Sequence, residues 1–386
     1  MRITLVIGSL NTGGAERVCV NLANAWAEHG WPVTILTVSQ RSRPSPYTID
    51  PRVKRRDIGK PRLARAVELN HDSVAPVVRG LQRDGCLALI GEMGLITMLR
   101  YGILTTAPDV VIPIIDMTNV RVIAAMYGTG VPVIACEQTD SARVSLGKWQ
   151  GVRKALYRRA HAVVAPQPSI ADWLAQQGAR AWAIPNPLIA PPPMRIQRNG
   201  QRRRLVTLSR LSQEKRPELL VRAFARVAHD FPEWDLEVHG DGPLRSQLIR
   251  CISELAPGRI HLHGFVDAPY TILDGADLFV STSWVEGFGN AIWEALACGV
   301  PVVAMDAGAP VRSLLRDGID GLIVTTNSTP ALASALASLM GDGAARHALA
   351  ARAREVLTRF PIESSLAKWD ALLDDVVEQT QGWPAV

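Results

Sequence analysis

The stretch ADLFVSTSWVEGFGNAIWEALACGVPVVA, residues 276–304, reads as strand, loop, helix and second strand in one unbroken run. ADLFVST is an apolar run of strand length, and VPVVAMD (300–306) is another, of the kind buried on both faces of a parallel sheet. Between them AIWEALAC has helical character. Asn290 suits its N-cap, Gly299 stops it and Pro301 stands just beyond. A strand joined to the next by a helix is the βαβ unit, so the spacing predicts an α/β protein with doubly wound parallel sheets. The loop Trp284–Gly289 then leaves the carboxyl end of a strand, where such sheets bind ligands.

That loop carries Glu286, and Glu294 follows about one turn into the helix. The two acids admit three readings: a catalytic pair, two halves of one ligand site, or ordinary loop and helix acids. Between them, the backbone amides of Gly287, Phe288, Gly289 and Asn290 open a helix and favour an anion. A hydrolase needs only the carboxylates. An anion-binding turn between them better suits a ligand that bears both phosphate and hydroxyl groups.

Outward from this unit the alternation recurs. ITLVIG (3–8), VTILTVS (33–39), DVVIPII (109–115), VPVIACE (131–137) and AVVAP (162–166) predict strands of one doubly wound domain. The proline-rich stretch PNPLIAPPPMRIQRNGQ (185–201) interrupts the pattern and reads as a linker. LVTLS (205–209), DLEVHG (235–240), IHLHGFV (260–266) and GLIVTT (321–326) then rebuild a second sheet. The expected organisation is residues 1–186, a linker 187–200, and residues 201–362, with two facing domains enclosing a cleft.

Two more loops at strand ends carry candidate ligands. SRLSQEKRP (209–217) places Arg210 and Lys215 before a helix that begins at Pro217. Both cations suit a diphosphate and the charge that develops on it as a leaving group. HGDGP (239–243) supplies Gly240, Asp241 and Gly242, two glycines that let backbone approach a ligand. GSLNTGGAE (8–16), with Gly14, repeats the strand-to-helix turn but is neither G-x-G-x-x-G nor a P-loop.

Composition narrows the classes. Five cysteines without C-x-x-C spacing argue against a disulfide scaffold and fit a reducing compartment. No apolar run approaches a membrane span on this reading, and MRITLVIGSL reads as a first strand rather than a signal peptide. Up to Asn186 there are 22 Lys/Arg and 13 Asp/Glu (+9), and beyond it 20 and 23 (−3), which sum to the net +6. Residues 41–65 and 141–160 concentrate the basic charge, the latter with Trp149 and Tyr157. Such a face suits an anionic membrane surface or an acidic substrate. Nucleic acid is not expected, because stacking aromatics are not interleaved with the charge.

Taken together, these segments resemble the retaining glycosyltransferases of GT-B family four: GGAERV (13–18), SRLSQEK (209–215), GDGP (240–243), HGFV (263–266) and EGFGNAIWE followed by ALACGVPVVA. Within it, DMTNVRVIAA and GVPVIACEQTD resemble parts of the first domain of transferases that assemble surface polysaccharide or lipid-linked oligosaccharide. The resemblance implies the GT-B fold, an acceptor-binding first domain, and a nucleotide-sugar donor held mostly by the second. Arg210 and Lys215 would grip the diphosphate, assisted by Gly14 and the amides near Phe288–Asn290. Glu294 would accept from the ribose diol, and Glu286 would orient hydroxyls of the transferred sugar. Gly264, Phe265, Val266 and the Gly240–Pro243 loop would border the base. A helix over 364–386, with Trp369 and Leu372, would cross back onto the first domain.

The resemblance further implies transfer with retention, with neither metal nor cofactor, from a co-substrate expected to be a UDP-sugar. The expected acceptor is a lipid-linked saccharide, on the inner face of the cytoplasmic membrane. His261 and His263 can share one side of a strand, but the sequence offers no evident third ligand for zinc. Where many relatives carry a first-domain His this chain has Asp116-Met117-Thr118-Asn119, and where many have Glu-Arg it has Glu137-Gln138. Asp116, Asn119 and Glu137 are therefore candidates for contact with acceptor or sugar. A GDP-mannose mannosyltransferase, a glycoside hydrolase and a catalytically idle sugar-nucleotide sensor are the competing readings.

Overall fold

Every residue of β1 (Ile3–Ile7) is buried, as a strand enclosed between two helical layers must be. Ile3, Leu5 and Ile7 enter one core with Val18, Leu22 and Trp26, while Val6 enters another with Leu36, Leu99 and Ile103. This alternation is the period-2 geometry of a strand. The computed structural model describes residues 1–11, 13–40, 45–59, 71–192, 202–325 and 327–381. The chain divides into two compact units, Met1–Leu188 with the segment from Ile362 onward, and Ile189–Pro361. Most of the predicted linker, and residues 41–44 and 60–65 of the basic stretch, lie outside the described residues.

In the first unit β2 (Val33–Thr37), β3 (Lys54–Asp57) and β4 (Val110–Pro113) join β1 in the order β3-β2-β1-β4. A ribbon of β5 (Ile134–Cys136), β6 (Ala162–Ala165) and β7 (Ala181–Ala183) continues it, through bridges from Val111 to Val133 and from Ile114 to Cys136. All of these pairings are parallel. In the second unit β8 (Arg203–Leu208), β9 (Trp234–His239), β10 (Ile260–Gly264), β11 (Leu278–Ser281), β12 (Val302–Met305) and β13 (Gly321–Val324) run parallel in the order β10-β9-β8-β11-β12-β13. In both sheets the first strand lies between the second and the fourth, the doubly wound order with its reversal point beside the first strand.

Two readings of the sequence change on folding. Leu87–Leu104 is one helical stretch of 18 residues with mean hydropathy 1.5, long and apolar enough by length and composition to cross a membrane. It buries Leu89, Ile96, Leu99 and Ile103 in the first unit's core and exposes Leu87, Ile90, Tyr101 and Leu104. Its charges are met within the protein. Arg100 donates to the Ala125 and Tyr127 carbonyls at 2.7 and 2.8 Å, and Glu92 pairs with Arg121 at 2.5 Å. The second change concerns the basic segment 141–160. Arg153 and Tyr157, four residues apart on the helix Gln150–Tyr157, both point inward, which removes them from any surface patch.

The helix Ile362–Gln381 belongs to the first unit, where Trp369, Leu372, Leu373 and Val376 join the core of β1. Trp369 meets Trp26 edge-on at 5.9 Å, and Trp26 Nε1 donates to Asp370 at 3.1 Å. Trp369→Ala would leave a cavity under this helix and is expected to cost about 3–5 kcal/mol, read as a lowered denaturation midpoint. Loss below 1 kcal/mol would show that the helix is not held by this packing.

Candidate active site

In the second unit the reversal point lies between β8 and β11, and the loops that leave their carboxyl ends are tied together there. Lys215 Nζ donates to Glu286 Oε1 at 2.6 Å, with both side chains mostly buried. Thr282, just past β11, donates its hydroxyl to the Lys215 carbonyl at 2.7 Å, and the Trp284 amide donates to the Glu214 carbonyl at 3.0 Å. Arg216, next to Lys215, adopts φ 48°, a left-handed conformation that an L side chain enters at a cost of about 1–2 kcal/mol. Its guanidinium lies 5.9 Å from the centre of the Trp284 ring. Arg210 is exposed on the same loop, and among the described residues its guanidinium has no ion-pair partner.

The loop after β9 packs directly on the loop after β8. A Cβ at Gly240 would stand 1.8 Å from the Ser209 carbonyl oxygen, and one at Gly242 would stand 2.5 Å from that of Leu211. Only glycine permits this approach. Asp241 accepts from the Gly242 amide at 2.8 Å, and the Gly240 amide donates to the Gly264 carbonyl at 2.6 Å, bringing the end of β10 to the same corner. Phe265, one residue on, is exposed, and Val266 is half-buried. The structure thus gathers Arg210, Lys215, the Gly240–Gly242 loop, Gly264 and Glu286 at one edge of the second unit.

Gly289, at φ 99°, turns the chain into the helix Asn290–Ala297, and Glu294 is buried within it. Gly287 and Phe288 are buried too. The Phe288 ring sits edge-on to Phe360 at 5.8 Å, so this residue offers a ligand only its backbone. In the first unit Gly14 is exposed and begins the helix Gly14–Glu28. Its neighbour Gly13 is pinned by Tyr47, which accepts from the Gly13 amide at 2.9 Å and donates to its carbonyl at 2.7 Å. Thr12 lies outside the described residues.

Asp116, Asn119 and Glu137 come together at the carboxyl ends of β4 and β5. Tyr157 donates to Glu137 Oε2 at 2.9 Å and accepts from Asn119 Nδ2 at 3.0 Å. The other oxygen of Glu137 accepts from the amides of Gln138 and Thr139 and from the Thr139 hydroxyl, at 2.9, 3.1 and 2.8 Å. Asp116 follows Ile115, a β-branched residue at φ 76°, which is a strained conformation. Among the described residues, two of the three positive-φ non-glycine residues, Ile115 and Arg216, adjoin candidate site residues. Tyr157 and Thr282 escaped the sequence reading, one inside a run read as surface charge and the other inside a strand.

Two doubly wound units in one chain define an architecture that the comparisons identify. Residues 12–188 match the family model described as Glycosyltransferase Family 4, and residues 202–342 match that of Glycosyl transferases group 1. TarM of S. aureus superposes with TM-score 0.76 at 14% identity, covering 97% of this chain and 100% of that chain. HepE of Anabaena, solved with UDP and glucose, superposes with TM-score 0.73 at 18% identity, covering 99% and 100%. The chain belongs to the glycosyltransferases of these families and has the GT-B fold.

Two curated relatives are similar in sequence. An exopolysaccharide phosphotransferase of Streptomyces coelicolor is 31% identical over 53% of this chain, a match that spans only 22% of that protein. The Campylobacter jejuni "GalNAc-alpha-(1->4)-GalNAc-alpha-(1->3)-diNAcBac-PP-undecaprenol alpha-1,4-N-acetyl-D-galactosaminyltransferase" is 24% identical over 97% of this chain and 99% of its own length.

Burial, and then the charge of Glu137, push the Asp116 carboxyl up to about 6. A carboxyl raised on folding favours the native state when protonated. Its contribution is therefore full below the ordinary value near 4 and is lost as pH rises through 6, on the order of 3 kcal/mol. Asp116→Asn is expected to match the wild type in thermal stability at pH 4 and to exceed it at pH 7.5. A pH-independent difference would mean that Asp116 does not titrate this way.

Proposed function

We propose that this glycosyltransferase moves a hexose or N-acetylhexosamine from a UDP-sugar to a lipid-linked saccharide in polysaccharide or glycan biosynthesis. The observation that carries the reading is the Lys215–Glu286 pair at the reversal point of the second sheet. An ammonium and a carboxylate held there, beside exposed Arg210 and a glycine corner, match a ligand with diphosphate at one end and hydroxyls at the other. Arg210 and Lys215 take the diphosphate, Glu294 the ribose and Glu286 the sugar. Phe265, exposed beyond β10, offers a flat surface to the base.

On this reading transfer proceeds with retention and without a catalytic metal. The bond from sugar C1 to phosphate breaks, the acceptor oxygen attacks from the same face, and its proton passes to the departing phosphate. Cationic side chains and helix amides stabilise that phosphate. Asp116, Asn119 and Glu137 of the first unit contact acceptor or sugar. The lipid-linked acceptor is supported by the Campylobacter relative's name, and UDP by the nucleotide solved with HepE.

A panel of UDP- and GDP-sugars scored by thermal shift and turnover tests the donor. A UDP-sugar is expected to raise the melting temperature and be consumed. Lys215→Ala should lose nucleotide stabilisation, and Glu286→Ala should retain UDP binding while losing turnover by about 100-fold or more. Stabilisation by no sugar nucleotide would overturn the reading, and GDP-mannose alone would replace UDP.

A lipid-linked acceptor places the enzyme at the inner face of the cytoplasmic membrane. The surface that supports this is the exposed stripe Leu87, Ile90, Tyr101 and Leu104, with the basic strand β3 beside its end, where Arg56 donates to Thr105 at 3.2 Å. Apolar residues with a basic rim suit an anionic bilayer. Co-sedimentation with phosphatidylglycerol vesicles is expected to fall at least about fivefold in Leu87→Asp/Ile90→Asp, because charge would have to enter the interface. Equal sedimentation of variant and wild type would remove this surface.

A further inference from the structure

The face of the second sheet opposite its main apolar core is charged over β8, β9 and β10. Asp235, Glu237 and His239 alternate on one side of β9, with His261 and His263 at matching positions of β10. The sequence paired His261 with His263 and offered no third ligand; the fold instead sets His263 beside His239 and Glu237, with His261 near Asp235. His239 Nε2 lies 3.1 Å from Glu237 Oε2, and His263 Nε2 lies 4.0 Å from the same oxygen. The two imidazoles stack with centroids 4.5 Å apart and planes within 11°, so both rings present one edge to one carboxylate.

We propose that Glu237, His239 and His263 form a binding site for a transition-metal dication of the zinc class, distinct from the Lys215–Glu286 site. Their ligand atoms all lie within 4.8 Å of one another. A tetrahedral zinc with bonds near 2.0–2.1 Å sets its ligand atoms about 3.4 Å apart, a value the two measured separations bracket. Two imidazole nitrogens with one carboxylate oxygen select zinc-like ions over magnesium or calcium, which prefer oxygen. His263 is about half exposed, which provides the path of entry and room for water as the fourth ligand.

Arg204 is the group that opposes a cation here, since it holds both Glu237 oxygens. Its Nε donates to Oε1 at 2.5 Å and its Nη2 to Oε2, so the carboxylate is oriented by the guanidinium and a cation would share Oε2 with it on the side of the histidines. The cation would cross-link β9 to β10 immediately before the Gly240–Gly264 corner, so its expected effect is to clamp that corner.

The test titrates the tag-free full chain with zinc chloride against a chromophoric chelator, beside His263→Ala and His261→Ala. His261 is equally exposed, pairs with Asp235 at 3.9 Å and lies outside the cluster, so it serves as the control. The expected result is one zinc per chain with a raised melting temperature. Affinity should be weakened more than about tenfold in His263→Ala and kept within twofold in His261→Ala. Absence of stoichiometric binding, or equal affinity in His263→Ala and wild type, would overturn the site and leave these residues as an ion-pair network. Because zinc is the only probe, failure here says nothing against a nucleotide-sugar donor, and failure of the donor panel leaves the metal site standing.

Discussion

The pairing of β8 with β9 on one side and β11 on the other is the constraint from which the second unit's chemistry follows. Parallel strands must be joined by crossovers, and where the order reverses, the crossovers leave toward opposite faces of the sheet. A gap opens between the loops that follow β8 and β11. Here it is bridged by Lys215 and Glu286 and by the Thr282 hydroxyl on the Lys215 carbonyl. The left-handed Arg216 is the cost of turning the chain so that Lys215 faces the gap before Pro217 begins its helix. Strain of this kind persists only where neighbours enforce it, and the bonds from Thr282 and Trp284 do so here.

The first unit meets the same topological reversal with different electrostatics. Beside β4 and β5, among the described residues, no cation is paired to a carboxylate at the centre of the cluster. Two acids share a buried site, one satisfied by Tyr157 and two amides and the other held near pH 6 in its titration. The charge of Glu137 adds to burial in raising the Asp116 carboxyl. As pH falls through about 6 Asp116 gains a proton and can donate as well as accept, which suits a hydroxyl group of a ligand better than a phosphate.

The α/β architecture was legible because buried parallel strands announce themselves as short apolar runs, and the 276–304 unit contained a complete crossover. β3 was not legible. Its four residues, Lys-Arg-Arg-Asp, are all exposed at a sheet edge, so no apolar period marks them and they read as a charge run. Arg153 and Tyr157 were misread for the opposite reason, because polarity in sequence hid burial that only the neighbouring helix and Trp173 supply. In the site, glycines and charged residues at strand ends were visible from their positions in βα loops. Thr282, Tyr157 and the strain at Ile115 depend on which loops become neighbours, which no local pattern encodes.

The Lys215–Glu286 bond also shapes how the site can respond. The Lys215 ammonium is mostly buried, and the bond to Glu286 balances its charge and fixes its position. On the proposed reading, the doubly charged diphosphate competes for Lys215 with a single carboxylate and brings the amides of the Gly287–Asn290 turn as further donors. Taking the lysine frees the carboxylate, which must then find new donors, and the hydroxyls of the sugar on that same diphosphate are the nearest available. The two halves of the ligand are thereby coupled. Phosphate engagement releases the group that orients the sugar, so a nucleotide without its sugar leaves Glu286 unsatisfied and binds with less than the full gain.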